Sequence, residues 1–93
     1  LMVEAQSRKV VVTTVDSTYE TVTPIREWGH LLEIPSFFQT HRSFIINMRY
    51  VASFTKDTVR LIGPDKQERT AYLTKRRYTE FKNAYFLYLE STR

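Results

Sequence analysis

The spacing of hydrophobic residues changes along the chain, which predicts several strands followed by a helix. The first strands are read from short runs rich in β-branched residues, with Asp16-Ser17 as a plausible turn. A second β-rich region begins at Phe37. The early runs are LMVEA, KVVVTTV and TYETVT.

A short amphipathic helix is predicted between these two β regions. Thr23-Pro24 is typical of a helix start, with Thr as the N-cap and Pro at the first helical position. The helix would end near Ile34-Pro35. Its apolar face would consist of Ile25, Trp28, Leu31 and Leu32.

The second half of the chain predicts more strands and a longer helix. NMRYVASFT and DTVRLIG frame a turn at Lys56-Asp57, and GPDK indicates a hairpin that joins DTVRLI to QERTAYL. Thr74 is a suitable N-cap for a helix that runs to about Glu90. That helix is indicated by steps of three and four residues between Tyr78, Phe81, Tyr85 and Tyr88, with Ala84 and Leu87 beside them.

Composition indicates one folded domain. The 93 residues leave no room for a second core, and 42% hydrophobic residues are enough to build one. The chain contains no cysteine, which excludes disulfides and cysteine zinc sites and fits a reducing cytoplasm. No apolar run approaches the ~20 residues that span a bilayer. Because the chain starts at Leu1 without an initiator methionine, we expect it to be a fragment of a longer protein.

The positive charge is concentrated in one segment. The formal net charge is +4, and the segment from Arg69 to Lys82 contains five cations against one carboxylate, so it accounts for the whole excess. A local excess of this kind attracts phosphate, although a solvated helix end would have the same composition.

Catalytic and metal-binding functions find little support. His41 and Ser43 would share a face of a strand, but no acid lies nearby in sequence to orient the histidine. The two glycines form no phosphate-binding loop, and His30 and His41 lack metal-ligand spacing. We expect no enzyme activity, cofactor or metal.

The start of the last helix favours nucleic-acid binding. Lys75, Arg76 and Arg77 occupy its predicted first turn, where the helix dipole disfavours cations by ~0.3–1 kcal/mol each. A phosphate backbone facing this turn would neutralise the cations and accept from the free backbone N–H groups. We therefore predict that these three residues contact a nucleic acid, and the family resemblance described next specifies DNA.

The segment FFQTHRSFIIN resembles the signature of the LytTR family of bacterial DNA-binding domains, roughly F-F-R-x-H-R-S-[FY]-[LIV]-[VI]-N. Three further segments, LMVEA, PIREWGHLLEIP and AYLTKRRYTEFK, resemble other parts of the family in the same order. The family usually has at least one strand before the first of these, so its first strands would be truncated here. The matching signature residues are Phe37, Phe38, His41, Arg42, Ser43, Phe44, Ile45, Ile46 and Asn47.

The resemblance implies a mainly β fold, an elongated domain of β-strands with a short amphipathic helix and a C-terminal helix, whose loops enter DNA. It places Arg42 at a DNA contact between two major-groove insertions. One insertion would come from Lys75 with the adjacent Arg76, and the other from the loop around Gln6 to Lys9, where Arg8 and Lys9 are the plausible donors. Gln39 occupies a position where the family often has arginine. Lys75 also stands where arginine is frequent in the family, and a lysine cannot form the rigid pair of hydrogen bonds that arginine makes to guanine.

The remaining signature residues are interpreted as support for Arg42. The apolar ones, Phe37, Phe38, Phe44, Ile45 and Ile46, would anchor the segment in the core. His41, Ser43 and Asn47 would hold the loop by hydrogen bonds.

The favoured function is sequence-specific binding of double-stranded DNA by the output domain of a bacterial transcriptional regulator of the response-regulator type. An upstream receiver or sensor domain in a two-component system, a cytoplasmic location and no membrane contact are implied with it. A dimer on repeated DNA sites stays open. The alternatives are a protein–protein interaction module that uses the aromatic C-terminal helix, and, ranked third, single-stranded RNA binding.

Overall fold

The structure, a computed structural model, describes residues 1–6, 9–14, 17–32 and 36–91. Within these ranges eight strands, two α-helices and one 3₁₀ turn follow one another with short connections. The strands are β1 (Met2–Ala5), β2 (Val10–Thr13), β3 (Thr18–Thr21), β4 (Phe37–His41), β5 (Phe44–Asn47), β6 (Val51–Phe54), β7 (Thr58–Ile62) and β8 (Glu68–Tyr72). The helices are α1 (Ile25–Leu31) and α2 (Lys75–Ser91), and the 3₁₀ turn is Met48–Tyr50.

The strands form two antiparallel sheets. The larger sheet has the order β3-β2-β1-β5-β4, and the smaller one the order β6-β7-β8. The first strand therefore lies in the middle of the larger sheet, where Val3 is opposite Val12 on one side and Ile45 on the other. The mainly β fold and the β7–β8 hairpin predicted from the sequence are confirmed.

Each face of the larger sheet packs against a different part of the protein. One face joins the smaller sheet and α2 in a core that includes Ile46, Leu61 and Phe81, all fully buried. The opposite face, with Val3 and Ile45, is covered by α1. Because alternate residues of a strand point to opposite faces, the unbroken run of β5 is buried on both sides.

The start of α1 differs from the prediction by one residue. Pro24 is the N-cap, and its carbonyl accepts from the backbone N–H groups of Glu27 and Trp28. Thr23, the predicted cap, instead has its hydroxyl 3.2 Å from that of Thr21. The helix ends at Leu31, and the predicted stop at Ile34-Pro35 lies outside the described residues, as does Asp16 of the predicted turn.

The prediction of a continuous strand over NMRYVASFT was wrong at its beginning. Met48–Tyr50 forms a 3₁₀ turn, and β6 starts only at Val51. The Asn47 side chain accepts from the backbone N–H of Arg49 at 3.0 Å and caps this turn. Asparagine at such a position favours a capped turn over an extended chain.

The second helix begins and packs as its pattern predicts. The Thr74 hydroxyl accepts from the Arg77 backbone N–H at 3.2 Å, which is the expected N-cap contact. Phe81 lies fully buried between Phe54 and Tyr85, with ring centroids 5.0 and 5.9 Å away. Neither described helix is long and apolar enough to cross a membrane.

Candidate nucleic-acid interface

The signature segment FFQTHRSFIIN forms the β4–β5 hairpin, with Arg42 and Ser43 in its tight turn. Arg42 is exposed, and neither turn residue has the positive φ that two-residue hairpins favour. The His41 ring supplies the contact that closes the turn, since its Nδ1 accepts from the Ser43 backbone N–H at 3.0 Å. The Ser43 carbonyl in turn accepts from the Ala5 N–H at 2.8 Å. His41 and Ser43 thus take part in the hydrogen bonds that shape the turn containing Arg42.

Asn47 supports a different part of the chain. It caps the 3₁₀ turn at the opposite end of β5 from Arg42. The sequence interpretation that Asn47 holds the Arg42 loop is therefore corrected. The signature thus contains His41, which shapes the turn before β5, and Asn47, which caps the 3₁₀ turn after β5.

Thr40 joins the hairpin to the rest of the interface. The strand register shifts between Gln39 and His41, which leaves Thr40 as an extra residue facing the smaller sheet. It is fully buried, and its hydroxyl donates to the Tyr72 carbonyl at 2.7 Å. Its own carbonyl accepts from the Thr74 N–H at 3.1 Å. Both bonds lie at the connection into α2, so the hairpin and the helix start are held together.

Arg77 makes a second connection between the same two segments. Its Nε donates to the Gln39 carbonyl at 3.0 Å, and its guanidinium carbon lies 4.7 Å from the centre of the Phe38 ring. An Nη1 nitrogen lies 3.1 Å from a carboxylate oxygen of Glu80. Arg77 was expected to contact DNA, but two of its three guanidinium nitrogens, Nε and Nη1, are engaged with the protein.

The two segments border one open cleft of about 570 Å³. Arg42 lines it from the β4–β5 turn and Arg76 lines it from the start of α2, so the fold brings together two arginines that are far apart in sequence. Lys75 is exposed one residue earlier. The lining residues are Gln39, His41, Arg42, Thr74, Arg76, Arg77 and Glu80.

Gln6 and Lys9, the described residues between β1 and β2, lie at the same end of the larger sheet as the Arg42 turn. Since β1 and β5 are antiparallel neighbours, the end of β1 lies beside the start of β5, where Ala5 bonds to Ser43. Gln6 and Lys9 close the β1–β2 turn by mutual backbone hydrogen bonds of 2.8 and 3.4 Å. The Lys9 ammonium pairs with the Glu20 carboxylate at 2.6 Å, and Arg8 lies outside the described residues.

The basic segment from Arg69 to Lys82 divides in the structure. Arg69 donates to Asp65 at 3.1 Å near the start of β8, at the end remote from α2. That hydrogen bond lowers the pKa of the Asp65 carboxyl. The Lys82 ammonium lies 5.9 Å from the centre of the Tyr78 ring. Among these cations only Arg76 and Arg77 line the cleft, and Lys75 is exposed beside them.

Metal binding finds no matching arrangement in the described part of the chain. No three histidine, aspartate or glutamate side chains there lie close enough together to hold a metal ion. The ring nitrogen of His41 nearest Ser43 accepts from a backbone N–H, so it is engaged in shaping the turn.

Sequence reasoning missed the linking roles of Thr40 and Arg77. The signal for Thr40 was present, because a polar residue two positions after Phe38 shares its inward face on a regular strand. No local pattern marks the contact between Arg77 and Gln39, which are separated by 38 residues.

Comparison with known proteins agrees with this geometry. The profile of the family described as the LytTr DNA-binding domain matches residues 1–86. The transcriptional regulatory protein NatR of Bacillus subtilis (strain 168) is 39% identical over 83 residues, which cover 82% of this chain and 33% of that protein. The chain thus spans about a third of that relative's length.

A solved LytTr DNA-binding domain from Bacillus cereus has the same fold. It superposes with a TM-score of 0.70 at 23% identity, over 89% of this chain and 77% of the solved one. The hairpin signature, the two-sheet architecture and the family match over nearly the whole sequence lead to one conclusion. The chain belongs to the LytTR family of DNA-binding domains.

Proposed function

We propose that this domain binds one DNA duplex through three neighbouring segments, with Arg42 as the residue that distinguishes sequences. The segments are the β1–β2 turn, the Arg42 turn and the start of α2. The observation that carries the proposal is the joint cleft, which Arg42 lines from the hairpin and Arg76 lines from the start of α2. The target class is double-stranded DNA.

Strand spacing supports contact with a single duplex. The strands that form the two hairpin turns lie in the order β2-β1-β5-β4, so the turns are two strand spacings apart, roughly 10 Å. The start of α2 adjoins β4 through Thr40 and Arg77. Three short projections in a row can follow a duplex without a recognition helix.

Different roles are assigned to the neighbouring cations. Lys75 and Arg76 are exposed and would contact phosphate or base edges, with Arg76 the better placed beside Arg42. Arg77 would position the helix start. Lys9, with Arg8, would contribute from the β1–β2 turn, where its ion pair with Glu20 is exposed and exchanges easily for phosphate.

The wider protein would be a bacterial transcriptional regulator. In that protein an upstream receiver or sensor domain would control this domain, in the cytoplasm, and the DNA-binding unit would have no enzyme activity. NatR is called a transcriptional regulatory protein, and its length leaves room for another domain. Repeated half-sites in the preferred DNA would indicate binding as a dimer.

Arg42→Ala tests the assignment of sequence reading. The preferred duplex is first selected from a random pool, and binding to it is then compared with binding to random duplex. The variant should fold with less than ~0.5 kcal/mol change, as an exposed site does. It should lose ~1–3 kcal/mol of binding to the preferred duplex and less to random duplex.

Arg49→Ala is the matched control, because Arg49 is also exposed but follows the opposite end of β5. It should leave the ratio of the two affinities unchanged. Equal losses on both duplexes for Arg42→Ala would reduce Arg42 to a backbone contact. If Arg42→Ala bound both duplexes as tightly as the parent does, Arg42 would not contact DNA.

The rival function is docking of another protein on α2. The helix uses Tyr78, Phe81, Tyr85 and Tyr88 in the core, which leaves Phe86 and Leu87 as its most exposed large apolar side chains in the described region. Salt separates the two functions, since DNA binding weakens steeply as salt rises and apolar docking does not.

A further inference from the structure

A second open cleft lies on the other side of the Arg42 turn. Its volume is about 450 Å³, and it separates the β4–β5 hairpin from α1. Arg26 and His30 border it from the helix, and Gln39 and Arg42 border it from the hairpin. Arg26 is exposed. Sequence reasoning gave Arg26 no role.

The hairpin tip is therefore a ridge between two clefts. Gln39 and Arg42 line both of them, while α1 forms the far wall of one and α2 the far wall of the other. Each far wall presents an arginine, Arg26 on the α1 side and Arg76 on the α2 side. Arg42 therefore lies on the ridge, with Arg26 across one cleft and Arg76 across the other.

A DNA groove has the complementary shape. Each groove is a channel bordered by two sugar–phosphate strands. When a ridge enters a groove, the two strands must lie in the depressions beside it. Arginines on the outer walls would then face phosphates, which they bind through paired hydrogen bonds.

The charges of the α1-side cleft favour this occupant. Its described lining includes two arginines and no carboxylate. The α2-side cleft includes Glu80, but that carboxylate is held by Arg77 at 3.1 Å. Both depressions therefore suit an anionic strand.

We infer that Arg26 binds a backbone phosphate on the strand that lies between α1 and the hairpin, opposite the strand contacted by Arg76. Arg42 would enter the groove between these strands. The inference rests on the proposed function, because it requires Arg42 to face DNA. It adds α1, through a contact that does not depend on DNA sequence, to the three segments of the proposed function.

Arg26→Ala and Arg26→Lys test the inference, with Arg49→Ala as the matched loss of an exposed arginine. Affinity for the preferred duplex and for random duplex is measured over a range of salt. One lost phosphate contact should flatten the slope of log affinity against log salt by about 1. Arg26→Ala should also weaken both duplexes by the same factor. Arg26→Lys should keep most of the slope, and Arg49→Ala should keep all of it.

The outcomes separate this inference from the proposed function. If Arg42→Ala loses sequence preference but Arg26→Ala keeps the parent slope and affinity, the α1 contact is refuted and the proposed function stands. If Arg42→Ala and Arg26→Ala both bind like the parent, the proposed function itself fails. If Arg26→Ala weakens only the preferred duplex, Arg26 reads sequence, and its assignment to phosphate is overturned. Thermal melting of each variant confirms that losses are not caused by unfolding.

Discussion

Replacing Arg77 by alanine should lower the stability of the fold and leave the salt dependence of DNA binding nearly unchanged. Arg77 directly follows two cations assigned to DNA, yet its guanidinium contacts Gln39, Phe38 and Glu80. Its side chain remains 39% exposed. The substitution therefore distinguishes a residue that positions the helix from one that binds phosphate.

The expected magnitude follows from the three contacts. A charged hydrogen bond contributes ~1.5–3 kcal/mol, a cation over an aromatic face ~0.5–1, and an exposed helical ion pair ~0.2–0.5. Because the guanidinium is partly solvated and the contacts share one group, we expect a total loss of ~1.5–3 kcal/mol in the free energy of unfolding. A domain of this size should then melt roughly 10 °C lower.

Lys75→Ala is the matched comparison, since Lys75 lies in the same helical turn and is exposed. It should change stability by less than ~0.5 kcal/mol and flatten the salt slope by about 1. Arg77→Ala should show the reverse, with lower stability and an unchanged slope at a temperature where it is folded. Thermal melting and binding titrations over a range of salt measure both quantities. A variant that melts like the parent and has a flatter slope would refute the positioning role.

Two further substitutions test the link between the hairpin and the helix. Thr40→Val keeps the branched shape but removes the buried donor to the Tyr72 carbonyl, so it should cost ~1–3 kcal/mol in denaturant unfolding; parent-like stability would mean that this bond contributes nothing net. His41→Ala removes the acceptor that closes the Arg42 turn and should lower the melting temperature before it alters binding. Normal melting with loss of sequence preference would instead make His41 a DNA contact.

The sequence by itself determined most of the secondary structure. The runs rich in β-branched residues predicted the strands, because such side chains pack well on a pleated surface. The Tyr78–Phe81–Tyr85 spacing predicted α2, because 3.6 residues complete a helical turn. The Thr74 cap was predictable because its hydroxyl satisfies a donor only three residues away. Local prediction was wrong at Thr23, whose hydroxyl contacts that of Thr21 and does not cap α1. It was also wrong at Met48–Tyr50, which forms a 3₁₀ turn capped by the Asn47 side chain.

Only the tertiary structure decided which of the cations belong together. Charge counting placed Arg69, Arg76 and Arg77 in one basic segment, but the fold turns Arg69 toward Asp65 and Arg77 toward β4. It also sets Arg26 beside Arg42, across a cleft that no sequence period encodes. Such pairings depend on the order of strands in the sheet and on how α1 and α2 pack against it. That order and packing depend on burying both faces of β5, which requires contacts between segments that are distant in sequence.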